Sequence, residues 1–138
     1  MTIRMLSGAD ISASGMAAER TRMEVVANNL ANAYSTDSED GGPYRRREVV
    51  FRAVQDGQGR LGGVQVVGIQ QDPAPLPKRL APGHRDADEE GYVTETNVKP
   101  ALEMVNLITA SRSYEANLRA LRTFREMAEQ ALALLRGA

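Results

Sequence analysis

The sequence predicts an α+β chain: a long helix at each end, the two pairing as an antiparallel coiled coil, with a small β-rich insertion between them. Three observations predict it. Apolar residues recur every seven positions toward both ends of the chain. The middle loses that rhythm and takes up strand alternation, glycine turns and a run of prolines. Ring side chains, which fill compact cores, are scarce, with four Tyr, two Phe and no Trp in 138 residues. The expected divisions are residues 1–33 for the N-terminal helical half, 34–96 for the β-rich insertion and 97–138 for the C-terminal helical half.

The C-terminal helix, expected over Asn97 to Leu135, carries the longest unbroken period. Leu107, Tyr114, Leu121, Ala128 and Leu135 form one seven-residue row. Ser111, Leu118, Arg125 and Leu132 form a second, offset by four. Such a helix is roughly 60 Å long at ~1.5 Å per residue, too long to bury its stripe in a compact core of this size. It needs a partner helix from this chain or another. Thr96 or Asn97 is the expected cap, and Pro100 fits the first turn, where its missing N–H has no intrahelical partner anyway. Glu115–Arg119, Arg122–Glu126 and Arg125–Glu129 are supportive four-residue pairs. Arg125 lies in the seam row itself. It must snorkel or meet a carboxylate, for which Glu19, Glu24 and Glu129 are candidates.

The N-terminal helix is expected over residues 5–33. Ala9, Met16, Met23 and Leu30 recur every seven, with Ala13, Arg20 and Ala27 at the four-residue offset and Val26 alongside. Small residues and Met permit close, adaptable packing. Gly8 and Gly15 each cost an isolated helix about 0.8–1 kcal/mol relative to Ala. The helix should end near Asn32–Tyr34, where Asn, Ser, Thr and Asp cluster.

Between the helices, Tyr34 to Tyr44 is a loop, with Gly41-Gly42-Pro43 as turn punctuation. Arg45 to Val54 alternates as a strand. Asp56 to Gly59 turns the chain into a Val-rich strand, Leu61 to Ile69. Four prolines between Asp72 and Gly83 hold that segment extended and remove ladder donors. An acidic run, Asp86 to Glu90, leads through Gly91 to a short strand, Tyr92 to Thr96.

Composition and motifs argue against most chemistry. The net charge of −1 gives no electrostatic case for nucleic acid or an anionic membrane. Zero Cys excludes disulfides and thiolate chemistry. No apolar run approaches the ~20 residues that span a bilayer, so direct membrane insertion is not expected. The opening MTIRMLSGADIS has no apolar h-region, so no cleaved signal peptide is expected. Asp86, Asp88, Glu90 and Gly91 match the start of a calcium loop, but its twelfth position is Asn97 rather than a bidentate Glu. Arg45, Arg46 and Arg47 on a strand face alternate ways and cannot form one phosphate patch. His84 is the only histidine, which leaves triads and metal catalysis without material. Gly57-Gln58-Gly59 lacks the strand–helix context of a dinucleotide loop. A hydrolase built on the Asp86–Glu95 carboxylates would need a pocket that the sequence does not announce. No enzyme, metal or cofactor is expected.

Four stretches carry a resemblance. ANNLANAYST (Ala27 to Thr36) resembles the N-terminal signature of bacterial flagellar rod and hook proteins. EMVNLITASR (Glu103 to Arg112) followed by SYEANLRALRTFREM (Ser113 to Met127) resembles their C-terminal signature. GGPYRRREVVF (Gly41 to Phe51) and PGHRDADEEGYVTETNV (Pro82 to Val98) are similar to the short basal-body rod proteins of that family. Thr94-Glu95-Thr96 departs from it, standing where the family often has a more apolar or Pro-containing segment.

The resemblance implies a structural subunit of the proximal rod, lying within the periplasm and exported without a cleaved signal through the flagellar type III apparatus. It implies terminal helices packed as an inner tube around the export channel, with the central segment outside. It implies as partners the other rod proteins, copies of this chain, the rod-base adaptor and the export apparatus. The expected subunit-interface residues are Met16, Met23, Ala27 and Leu30 on the N-terminal helix. On the C-terminal helix they are Leu107, Tyr114, Leu118, Leu121, Arg125, Leu132 and Leu135. Asn28, Asn29 and Asn32 are expected to bond across subunits or cap the helix end, with simple helix termination as the plainer reading. The rival from a different class is a soluble helical-hairpin adaptor whose β head captures a protein partner.

Overall fold

A computed structural model describes residues 2–39, 41–55 and 57–137, residues 2–7 by backbone alone. Asp40 and Asp56, which the sequence assigns to a loop and a turn, lie outside the described residues. The order is α1 (Thr2–Ala31), β1 (Arg47–Gln55), β2 (Leu61–Gln71), β3 (Lys78–Leu80), β4 (Tyr92–Thr94) and α2 (Pro100–Arg136). This is the α+β architecture, two helices with small antiparallel sheets between them.

The helices run antiparallel. Gly8 lies across from Phe124, Gly15 from Asn117, and Asn29 from Glu103. In each pair the two residue numbers add to 132, and the pairs recur in steps of seven or its multiple. The same register sets Arg22 across from Ala110, which is fully buried. The seam is close because it is small. A Cβ at Gly8 would stand 2.6 Å from Phe124 Cζ, and one at Gly15 would stand 2.9 Å from Asn117 Oδ1. Both glycines therefore offset their propensity penalty by letting the backbones approach. Ser12, Ala18, Val25 and Val26 complete the buried face of α1.

The N-terminal row expected from hydropathy (Ala9, Met16, Met23, Leu30) is displaced by one residue from the row that meets α2. One residue is ~100° around a helix, so the two rows look in different directions. Met16, Met23 and Leu30 are half-buried and Ala27 is exposed.

β1 and β2 form an antiparallel hairpin with register irregularities between Val50 and Phe51 and between Val54 and Gln55. The hairpin lies against α1. A latch holds β2 to it: the Ser14 hydroxyl donates to Ile11 O at 2.7 Å and accepts from the Val64 N–H at 3.1 Å. Gly63, at φ +140, makes room for that latch, since a Cβ there would collide with the Ser14 hydroxyl. β3 pairs antiparallel with β4, from Lys78↔Thr94 to Leu80↔Tyr92. The sequence reading missed β3, because prolines flank it on both sides. The ladder reaches back to the prolines through a carbonyl, as Glu95 N–H donates to Pro77 O at 2.8 Å.

The expected cap of α2 is also corrected. The N-cap is Lys99, without a side-chain cap bond, and Pro100 follows at the first helical position. Thr96 and Asn97 are occupied elsewhere. The Thr96 hydroxyl donates to Ala33 O at 2.6 Å, and Asn97 Oδ1 accepts from the Arg46 N–H at 2.7 Å. Ala33, Tyr44 and Val98 pack as a buried cluster where the two helices meet the insertion.

Candidate assembly site: a polar hub and unpartnered helix faces

The two helices and the first hairpin converge on one polar hub at the end of the helix pair. Its centre is Asn29, fully buried in the last turns of α1. Its amide N–H groups donate to Arg47 O at 2.7 Å and to Glu103 Oε2 at 2.8 Å. Its carbonyl accepts from the Tyr44 hydroxyl and the Arg47 N–H, both at 2.9 Å. All four hydrogen-bonding positions of the amide are filled.

Glu103, in the first turn of α2, is also fully buried. Its other oxygen accepts from Arg46 Nε at 2.8 Å and from Asn106 Nδ2 at 3.2 Å. Arg46 Nη1 reaches Glu48 and Asp72, each at 3.2 Å. A buried carboxylate is costly unless paired and hydrogen-bonded, and Glu103 is both. Burial works against the Arg46 charge, but the bond and attraction of Glu103, with Glu48 and Asp72 behind, raise its pKa above the ordinary value. The Ala74 N–H holds the Asp72 carboxyl below the ordinary carboxylate value, against partial burial and helped by Arg46. Burial raises the Tyr44 phenol. Arg46, just before β1, bonds into the hub, while Arg47 lies over the Tyr44 ring at 5.6 Å.

The three expected asparagines thus divide. Asn29 is held inside the chain. Asn28 is exposed and donates to Glu24 O at 3.0 Å. Asn32 donates to Asn28 O at 2.9 Å and accepts from the Ser35 hydroxyl at 3.2 Å, just past the end of α1. Of the C-terminal residues, Leu107, Tyr114, Leu118 and Leu121 are half-buried, while Arg125, Leu132 and Leu135 are exposed. Leu107, Tyr114 and Leu121 fall four residues after Glu103, Ala110 and Asn117, so they flank the row that meets α1. The sequence reading missed Arg46 and Glu103. The missed signal is a seven-residue row of non-apolar residues, Gly8, Gly15, Arg22 and Asn29, beside the apolar one.

Two faces of α2 have no cover from the described residues. On the outward side of its first turns, Leu102, Met104, Val105 and Ile108 are half or more exposed. At its far end α2 outruns α1. The register places Thr2 across from residue 130, so Ala131 to Arg136 face no described residue of α1. Leu132, Leu134 and Leu135 there are 54%, 76% and 76% exposed. Between these ends most exposed residues are charged, among them Arg112, Glu115, Arg119, Arg122 and Glu126.

The acidic turn is a built loop. Asp86 accepts from the Thr36 hydroxyl at 2.8 Å, which lowers its pKa against slight burial, with Arg85 adding to the effect. Asp88 accepts from the backbone N–H groups of Glu90 and Tyr92.

Comparisons with known proteins cover both helices and the insertion. A family model described as "Flagella basal body rod protein" matches residues 10–37, which include Asn29. One described as "Flagellar basal body rod FlgEFG protein C-terminal" matches residues 89–134, which include Glu103. The flagellar basal-body rod protein FlgC of Yersinia enterocolitica is 46% identical over 126 residues, covering 91% of this chain and 93% of that protein. FlgC of Salmonella typhimurium (strain LT2) is 42% identical over 125 residues, with the same coverage. FlgC of Borreliella burgdorferi is 35% identical over 152 aligned positions, covering 96% of this chain and 99% of that protein.

Proposed function

Because the chain belongs to the FlgC family of flagellar basal-body rod proteins, it is a structural subunit of the basal-body rod and not an enzyme, and we propose how it builds that rod. Residues 1–33 and 97–138 act as one helical module, an antiparallel coiled coil, and residues 34–96 act as its outer head. The uncovered faces of α2 pack against neighbouring rod proteins and copies of this chain, so that repeated helical modules close into a tube. The tube transmits torque as a drive shaft in the periplasm and surrounds the path of export. The chain reaches that place through the flagellar export apparatus and joins the rod at its proximal part, next to the rod-base adaptor.

One observation carries this reading beyond the family name. α2 continues past the first described residue of α1 with three exposed leucines. Burying a leucine side chain is worth roughly 1.5–3 kcal/mol, and within the subunit that gain is not realised. Shear resistance then comes from many small contacts between interdigitated seams, each weak and collectively large. Met16, Met23, Leu30, Leu107, Tyr114, Leu118 and Leu121, half-buried beside the intrachain row, are the remaining proposed contacts, with Arg125 at their rim.

The test is electron microscopy of basal bodies from cells lacking the chain, complemented by wild type or by Leu132→Asp with Leu135→Asp. Wild type is expected to restore rod, hook and filament, and the double variant is expected not to, although its purified subunit folds normally. Normal rods built from the double variant would refute the role of the overhang. Normal rods without any copy would refute the subunit's place in the axial structure.

A further inference from the structure

The seam between α1 and α2 does little to distinguish one register from another. Its facing rows recur every seven residues and use Gly8, Gly15 and Ala110 among longer side chains. Sliding α2 by one heptad sets Gly15 against Ala110 in one direction or Phe124 in the other, and neither exchange meets a steric barrier of its own. One slid register even sets Arg22 against Glu103.

A single layer breaks this degeneracy. Asn29 and Glu103 are both fully buried, joined at 2.8 Å, and each has its remaining capacity committed at the same end of the molecule. A slide of seven residues either sets Asn29 against the apolar Ala110 or carries it beyond the start of α2. In both cases the Asn29–Glu103 bond is broken, and in the slide that brings Arg22 to Glu103 it is the Asn29 amide that is left without its carboxylate. A buried polar group without its partner is expensive, and a single polar layer in a helical seam is a known means of fixing register.

We propose that the Asn29–Glu103 layer sets the register of the helix pair, with Arg46 tying the root of the hairpin to the same point. Glu103 is in this sense a positioning residue. The register fixes how far α2 projects past α1, so a slip of seven residues would change that projection by about 10 Å at ~1.5 Å per residue. Subunits of two lengths would not stack in one lattice. This inference concerns the single subunit and stands apart from the proposed tube.

The chain has no cysteine, so engineered pairs report register without background. In the full chain, purified and dilute, Gly15→Cys with Asn117→Cys reports the native register. Gly15→Cys with Ala110→Cys, or with Phe124→Cys, reports the two slips. Under mild oxidation the first pair is expected to close nearly fully and the others hardly at all. Glu103→Gln should keep that pattern, because its amide oxygen still accepts from Asn29. Glu103→Leu should let a slipped pair close to a yield comparable with the native one. The variant Glu103→Leu with Arg46→Met, which leaves neither charge behind, is carried in parallel in case the single change does not fold. Val98→Ala, which weakens apolar packing at the same end, should lower the urea midpoint and leave the pattern intact.

The proposal is overturned if slipped pairs stay closed to oxidation in both leucine variants. It is also overturned if Val98→Ala opens them equally, or if both leucine variants unfold while Glu103→Gln folds. In that last case the layer supplies stability and not register. Absence of the native cross-link in the unaltered background overturns it as well.

Discussion

Replacing Asn29 by alanine removes four hydrogen bonds at one buried point. Their lengths are 2.7, 2.8, 2.9 and 2.9 Å, and no part of Asn29 is exposed. Three have neutral partners and contribute about 1 kcal/mol each, while the bond to the Glu103 carboxylate contributes about 1.5–3 kcal/mol. The expected loss is therefore about 5 kcal/mol, a large share of the ~5–15 kcal/mol that holds a domain together. Asn28 is the matched control one position away. It is exposed, with one bond to the backbone of its own helix, so Asn28→Ala should move stability by less than about 0.5 kcal/mol. Asn29→Asp keeps the shape but loses both donors and sets a carboxylate against Glu103, so it should be at least as damaging as alanine. Urea unfolding followed by far-UV circular dichroism, on all three variants in one buffer, measures these differences. A loss below about 1 kcal/mol for Asn29→Ala, or equal losses at the two asparagines, would refute the hub as the point that fastens the insertion to the helices.

Three further outcomes are expected. Gly63→Ala should cost about 1–3 kcal/mol from its φ of +140 alone, plus the Ser14–Val64 bond that its Cβ would displace. Hydrogen exchange should quicken at the Val64 amide while α2 stays protected. Asp72 has a depressed folded pKa, so its contribution is full above the ordinary value of 3.8 and is lost as pH falls through the folded value. The stability gap between wild type and Asp72→Asn should therefore narrow on acidification below 3.8, and a gap that widens there would contradict the assignment. Leu132→Asp with Leu135→Asp should leave the unfolding free energy of the free subunit within about 0.5 kcal/mol of wild type, because both side chains are more than half exposed.

The ends of the chain were legible in the sequence because period seven survives in Leu107, Tyr114, Leu121 and Leu135 without help from tertiary context. β1 and β2 were legible from alternation and a glycine turn. β3 was not, because a strand of three residues beside prolines has no pattern of its own and exists by pairing with β4. The hub was hidden for a different reason. A hydropathy scan discards Gly8, Gly15, Arg22 and Asn29, yet close approach demands glycine and a fully satisfied amide tolerates burial. Arg46 looked like one of three arginines alternating along a strand, and nothing local to the run distinguishes the member that meets Glu103. Thr96 and Asn97 look like caps by residue type, but partners distant in sequence compete successfully for both side chains.

The glycine layers lie toward the start of α1 and the polar layer lies at its far end. Under a pull applied to the N-terminal end, the two antiparallel helices are loaded in peel, one layer at a time. The layers built on Gly8 and Gly15 offer little side-chain grip and open first. The layer at Asn29 comes last, where the four hydrogen bonds of its buried amide must yield together. A machine that threads this chain from its beginning would meet rising resistance, with most of the work concentrated in one late event. A pull applied elsewhere, along the axis of a finished shaft, would load the same layers in shear and engage them all at once.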